Sequence, residues 1–172
     1  LRYGNVFGSR GSVVPLFLQQ QRDHGTLTVT DARMTRFTLT LGDAIRFVLR
    51  CCERMIGGEI FVPKLPSYSV GQLAAVLCPG CPCTQVGIRP GEKMHEAMIG
   101  DSESHMALEY ATYYVIRPLI TMQSGRDYAA ATTEPCTPVP AGWCYSSDRN
   151  PVTATDAQLR AAVADFLASR RP

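Results

Sequence analysis

Arg2-Tyr3-Gly4-Asn5-Val6-Phe7-Gly8-Ser9-Arg10-Gly11-Ser12-Val13-Val14-Pro15 is the stretch on which the reading of this chain turns. Its first residues read as the end of a strand, Gly8 to Gly11 as a loop, and Ser12 onward as the start of a helix. Gly8 and Gly11 let the backbone approach a ligand closely, and Arg10 sets a permanent positive charge beside them. Ser12 suits an N-cap and Pro15 suits a first helical turn. A strand that empties into a glycine-rich loop at a helix N-terminus is a natural phosphate cradle. An ordinary strand–loop–helix connection fits the same residues equally well.

A chain of 172 residues makes one domain, or one and a fragment of another. With 45% hydrophobic and 19% charged residues it has the composition of a soluble globular protein. A net charge of +2 gives no electrostatic case for binding nucleic acid or a membrane surface. The longest apolar runs, such as Val13–Leu18, are too short to span a bilayer, and no signal peptide is visible. The seven cysteines are an odd number and do not form a disulfide framework; reduced cytoplasmic thiols are the expectation.

Working outward from the opening stretch, Val13 to Arg22 predicts a helix with Val14, Phe17 and Leu18 on one side, ended by Gly25. Thr26 to Asp31 alternates, with Leu27 and Val29 on one face and threonines on the other, which predicts a half-buried strand. Asp31–Phe37 reads as a polar connection, in which Arg33 and Arg36 offer forked donors to an anion or simply face solvent. Leu41 to Cys52 predicts an amphipathic helix packed through Leu41, Ala44, Ile45, Val48 and Cys52. Glu59–Pro63 predicts a strand, and Ser69 with Gln72 a capping box opening a helix whose Val70, Leu73, Ala74 and Leu77 face the core.

Cys78-Pro79-Gly80-Cys81-Pro82-Cys83 has the look of half a zinc site, but Cys136, Cys144 and the histidines show no paired ligand spacing. A helix-to-strand connection is the preferred reading, and no metal is expected. Val86–Ile88 predicts a short strand leading into Arg89-Pro90-Gly91-Glu92-Lys93, a tight turn that offers two cations around a carboxylate. Further on, Tyr113–Ile116 predicts a strand, Gln123–Gly142 a loose Thr/Pro/Ala-rich segment, and Thr155 with Gln158 a final helix buried through Leu159, Ala162, Val163 and Phe166. The fold class is α/β.

Four of these stretches occur together in a known family. Arg2–Pro15, Val29–Phe37, Gly58–Lys64 and Gly87–Glu96 resemble, in order and spacing, the soluble UDP-N-acetylglucosamine 4,6-dehydratases, a polysaccharide-biosynthesis branch of the extended short-chain dehydrogenase/reductases. Tyr113–Pro118 and Tyr145–Asp148 also look like that family's C-terminal region. Ser9–Gly11 and Met34–Phe37 look closer to the C5-inverting members, though the C5 stereochemistry is left open. The resemblance implies the C-terminal part of a Rossmann-type fold: residues 1–25 as the last cofactor-domain strand and connecting helix, and 26–172 as a small α/β substrate lobe. It implies NADP as cofactor, contacted by Val6, Phe7, Gly8, Ser9 and Arg10. It implies a UDP-sugar, UDP-N-acetylglucosamine or a relative, contacted by Asn5, Val13, Arg36, Arg89 and Glu92. The product would be a UDP-4-keto-6-deoxy sugar for surface polysaccharide or flagellin glycosylation. A cytoplasmic setting and a homo-oligomeric full-length protein are implied as well.

No Gly-x-Gly-x-x-Gly occurs, and no Tyr is followed by Lys four positions on, so this chain alone is expected to be catalytically inert and no catalytic residue is assigned. The chain's first strand, the last of the family's cofactor domain, would lack its parallel-sheet neighbours here, so exposed apolar surface and association are expected. A UDP-sugar epimerase or reductase of the same superfamily, and a non-catalytic UDP-sugar-binding or assembly module, are the alternatives.

Overall fold

The computed structural model describes residues 1–119 and 132–168. In chain order its first elements are helix α1 (Val13–His24), strands β1 (Leu27–Val29) and β2 (Thr35–Phe37), helix α2 (Leu41–Arg54), strands β3 (Ile60–Pro63) and β4 (Ser67–Ser69), and helix α3 (Val70–Leu77). Strands β5 (Cys83–Gln85) and β6 (Ala97–Ile99), a 3-10 helix (Asp101–Met106), strands β7 (Ala107–Glu109), β8 (Tyr113–Ile116), β9 (Thr137–Pro138) and β10 (Tyr145–Ser146), and helix α4 (Asp156–Ala168) follow. The fold is mixed α/β, with one parallel strand pair and otherwise antiparallel ladders. It divides into two compact units.

One unit takes Leu1–Tyr3, Gly42–Lys64 and Ala97–Ser146. Its sheet runs β3-β8-β7-β9, all antiparallel, and β6 pairs with β10. Tyr113 lies at the centre of the core, stacked on Tyr110 with ring centroids 4.6 Å apart and close to Phe61. Arg2 donates to both carboxylate oxygens of Glu103, at 2.7 and 2.9 Å. Helix α2 has the expected extent, but its packing face is different. Ala44 and Cys51 are buried, whereas Leu41, Ile45 and Leu49 are 63%, 52% and 60% exposed and Cys52 is exposed too. Of the expected stripe, Ala44 is buried and Val48 half-buried, whereas Leu41, Ile45 and Cys52 face outward. The described part of the loose segment contributes β9; its residues 123–131 lie outside the described residues.

The other unit takes Gly4–Leu41, Leu65–Glu96 and the chain from Ser147. Strand β1 shows the expected alternation, Leu27 and Val29 inward and Thr28 outward. It pairs in parallel with β5, and backbone bonds from Val86 to Val29 and from Gly87 to Thr30 prolong the contact. The strand expected at Val86–Ile88 therefore lies three residues earlier, at Cys83–Gln85. Strands β2 and β4 were not anticipated: Thr35-Arg36-Phe37 pairs antiparallel with Ser67-Tyr68-Ser69, where a polar connection was read. The strand expected at the opening stretch is reduced to a parallel bridge between Val6 and Leu39. Gly4 adds no side chain to pack there, and a Cβ on it would meet Phe37 Cβ at 2.7 Å.

Caps explain the helix ends. Gly25 ends α1 in the left-handed region, φ 64°, donating to Gln21 O. Ser69 Oγ accepts from Gln72 N to open α3, while the Gln72 amide leaves the box and donates to Ala154 O and Asp156 Oδ1. Thr155 and Gln158 form both halves of theirs. Phe17, Leu27 and Leu73 are essentially inaccessible in the core that α1, β1 and α3 share. Burying each contributes on the order of 1.5–3 kcal/mol, against about 0.3–0.5 kcal/mol for an exposed helix pair such as Asp43–Arg46. Apolar burial decides this packing.

Cys78 ends α3, Cys81 N donates to Cys78 O, and Leu27 N donates to Pro82 O at the entry to β5, so the cysteine run is the helix-to-strand connection read from its prolines. Burial pushes the Cys78 thiol up to about 11. Among the described residues no group of His, Cys, Asp or Glu side chains is placed to hold a metal ion.

Candidate functional site

A cavity of about 370 Å3 lies within the second unit, inside the usual range for small-molecule sites. Asn5, Val6, Phe7, Gly8 and Gly11 of the opening stretch form one wall. The N-terminus of α1, from Ser12 to Val14, forms a second. Thr28, Thr30, Met34, Arg36, Tyr68 and Val70 line the floor, and Val86, Arg89, Glu92 and Glu96 close the remaining side.

Local sequence explains each wall. Gly8 and Gly11 both have positive φ, 73° and 76°, which lets the chain turn twice in four residues through the bonds Ser9 N to Val6 O and Ser12 N to Ser9 O. The α1 N-terminus carries no acidic residue in its first turn, and Ser12 occupies the N-cap without a side-chain cap bond. Ser12 Oγ is buried without a hydrogen-bond partner. That end of the helix is therefore open to an anion.

Arg89-Pro90-Gly91-Glu92 makes the expected turn, with Glu92 N donating to Arg89 O at 3.0 Å and Gly91 at φ 81°. The side chain of Arg36 runs along this segment: it donates to Thr35 O, Met94 O and Lys93 O and pairs with Glu96 at 3.5 Å. Burial pushes the Glu96 carboxyl above its usual range, an effect that Arg36 partly offsets. Burial likewise pushes the Tyr68 phenol up to about 12, so it stays protonated near neutrality.

Asp31 sets the turn between β1 and β2, accepting from Arg33 N at 2.8 Å and from the Arg33 guanidinium. That pairing holds its carboxyl down at about 2.

Of the expected cofactor contacts, Val6, Phe7 and Gly8 line the cavity, whereas Ser9 and Arg10 are exposed and do not. The expected substrate contacts Asn5, Val13, Arg36, Arg89 and Glu92 all line it. Tyr68 and Glu96 were missed. Glu96 closes the Gly87–Glu96 stretch that carries the family resemblance but has no expected role there, and Tyr68 stands between serines with no pattern to mark it. The lining has the character of a binding site: donors from Arg89 and a helix end, hydroxyls from Thr28, Thr30 and Tyr68, and carboxylates to accept from ligand hydroxyls.

Residues 1–118 match the polysaccharide biosynthesis protein family, and the chain belongs to it. Among its relatives, the UDP-N-acetylglucosamine 4,6-dehydratase (inverting) of Campylobacter jejuni serotype O:2 is 46% identical over 161 residues, covering 92% of this chain and 48% of that protein. The UDP-glucose 4-epimerase of Rickettsia bellii is 39% identical over 120 residues, covering 67% of this chain and 35% of that protein. The X-ray structure of Pen from Bacillus thuringiensis superposes with a TM-score of 0.77 at 30% identity, over 95% of this chain and 48% of that one. The chain spans about half the length of the dehydratases it matches. No helix among the described residues is long and apolar enough to cross a membrane.

Proposed function

We propose that this chain supplies the sugar-nucleotide-binding part of an NADP-dependent UDP-N-acetylglucosamine 4,6-dehydratase serving surface polysaccharide or flagellin glycosylation. The observation that carries this reading is that one cavity brings together the opening stretch, the α1 N-terminus, Arg89 and Glu92. On it, residues 1–25 belong to the cofactor-binding domain and its connecting helix, and 26–172 to the substrate lobe of an extended short-chain dehydrogenase/reductase fold. The open end of α1 beside Val13 and the Arg89 guanidinium receive the diphosphate. Glu92 accepts from the ribose hydroxyls, and Asn5 contacts the sugar. The protein would work in the cytoplasm, as a homo-oligomer at full length.

Val6, Phe7 and Gly8 fit the nicotinamide edge of a cofactor, since they present small or apolar surface to the cavity beside an unpartnered Ser12 hydroxyl. When bound, the cofactor supplies hydride removal at C4 and hydride return at C6, which makes loss of water across C5 and C6 possible. This chain's residues bind and orient the nucleotide. They include no Tyr-x-x-x-Lys pair to move the protons, so no turnover by residues 1–172 alone is expected.

Titration calorimetry with UDP tests the reading. Saturable binding that weakens at least tenfold in Arg89→Ala is expected. Absence of UDP binding by the wild-type chain, or dehydration of UDP-N-acetylglucosamine by it alone, would overturn the assignment. The similarity to UDP-glucose 4-epimerase supports a second reading, an epimerase or reductase using the same nucleotide contacts, over a shorter span and at lower identity. A module that binds UDP-sugars without catalysis is a third, and it shares the binding experiment.

A further inference from the structure

The segment that carries Arg89 and Glu92 belongs to no strand, with backbone bonds to strands β1 and β2 only near its ends, yet it forms a wall of the cavity. Arg36, on β2, reaches it. Nη1 donates to Thr35 O at 2.8 Å and to Met94 O at 3.1 Å, and Nη2 donates to Lys93 O at 3.0 Å. Its side chain is only 13% exposed, and Glu96 and Glu92 lie 3.5 and 4.0 Å from it. Thr35 N donates to Met94 O as well. A guanidinium engaged on three carbonyls and two carboxylates has little donor capacity left for a ligand.

We infer that Arg36 is a positioning residue: it clasps residues 89–96 to β2 and so sets where Arg89 and Glu92 stand in the cavity. The foot of the segment is fastened separately, by Ser147 N on Glu96 O, by Glu96 N on Ser147 Oγ, and by Thr35 Oγ1 between His95 Nδ1 and Ser147 Oγ. Arg36 therefore governs the middle of the segment and not its anchorage. A lysine in its place keeps the charge but, as a single ammonium on a flexible stem, lacks the planar fork that reaches Lys93 O and Met94 O while holding Thr35 O.

The effect on ligand rests on the proposed nucleotide role of Arg89; the clasp itself does not, and two measurements separate them. Hydrogen exchange on the ligand-free chain should show amides of residues 91–94 exchanging at least tenfold faster in Arg36→Ala, and faster to a lesser degree in Arg36→Lys, with Glu96 and α3 protection unchanged. UDP titration of wild type, Arg36→Ala, the Arg89→Ala/Glu92→Ala variant and the triple variant forms a cycle. The triple variant should bind within about twofold of Arg89→Ala/Glu92→Ala, because Arg36 acts through those two side chains. Losses that multiply would make Arg36 an independent ligand contact and overturn the inference. Unchanged exchange at 91–94 would do so too, as would loss of α3 protection in both variants, which would make Arg36 a prop of the whole unit. If the wild type binds no UDP, the nucleotide reading fails while exchange still decides the clasp.

Discussion

Replacing Gly8 with alanine probes the opening stretch at its tightest point. Two costs arise there and they are separable. The first is conformational: at φ 73° an L side chain sits in the left-handed region, which costs about 1–2 kcal/mol. The second is steric, because the new Cβ would meet the ring of Phe166 on α4, with Cε2 at 2.6 Å, Cγ at 2.8 Å and Cδ2 closer still. Overpacking of this kind costs about 1–3 kcal/mol, so the total is about 2–5 kcal/mol. Gly11 is the internal control: its φ is 76° and nothing lies within 4 Å of its Cβ position, so Gly11→Ala should cost only the conformational ~1–2 kcal/mol. Urea unfolding reads the difference. With a slope of about 2 kcal/mol per molar, Gly8→Ala should lower the midpoint by about 1–2.5 M and Gly11→Ala by no more than about 1 M. In a Phe166→Ala background the Gly8→Ala penalty should fall to that of Gly11→Ala. An unchanged penalty in that background would refute the reasoning, since the ring would then not rest on the glycine.

The ion pair of Asp31 predicts a pH effect with a definite sign. Its folded carboxyl is held at about 2, below the ordinary 3.8, so its contribution is full above the unfolded value and is lost as pH falls from about 4 towards 2. Asp31→Asn should flatten that part of the stability curve; identical acid limbs in the two proteins would count against the pairing. Ile45→Lys with Leu49→Lys on α2 should change stability by less than about 0.5 kcal/mol, since both side chains are exposed. The same pair should lower the apparent mass seen by light scattering at high concentration, and a stability loss above about 2 kcal/mol would mean that the face is buried.

Much of the architecture was legible where a local rule acts alone. Ser69 with Gln72 and Thr155 with Gln158 marked two helix starts because a capping bond involves residues only three apart. Leu27-Thr28-Val29 declared its strand because one face is buried and the other is not. Helix α2 shows where such rules stop: periodicity located the helix and its buried Ala44, but Cys51 is buried in place of Cys52, and Leu41 and Ile45 are exposed. A helical stripe says which residues share a face; which face is covered depends on elements far away in sequence. Strands β2 and β4 escaped for a related reason, since Thr35-Arg36-Phe37 and Ser67-Tyr68-Ser69 carry no apolar alternation and exist because they pair with each other. In the site, the Arg89–Glu92 turn was readable from Pro-Gly. The saturation of Arg36 by carbonyls was not, since backbone acceptors carry no sequence signal.

The fastening of Glu96 by Ser147 has a bearing on how the protein is made. The two residues are 51 positions apart, and nothing nearer in sequence supplies the two bonds that Ser147 gives. At roughly 10 residues per second, a ribosome needs about 5 s to travel from one to the other, longer than most local structure takes to form. For that interval the segment bearing Arg89 and Glu92 lacks the Ser147 half of its foot, with only the bonds from Thr35 to Met94 and His95 within reach. The cavity wall is thus among the last features to be completed during synthesis, and so is the core beneath it, since Ala154 and Leu159, which share that core with α1, β1 and α3, follow Ser147 in the chain.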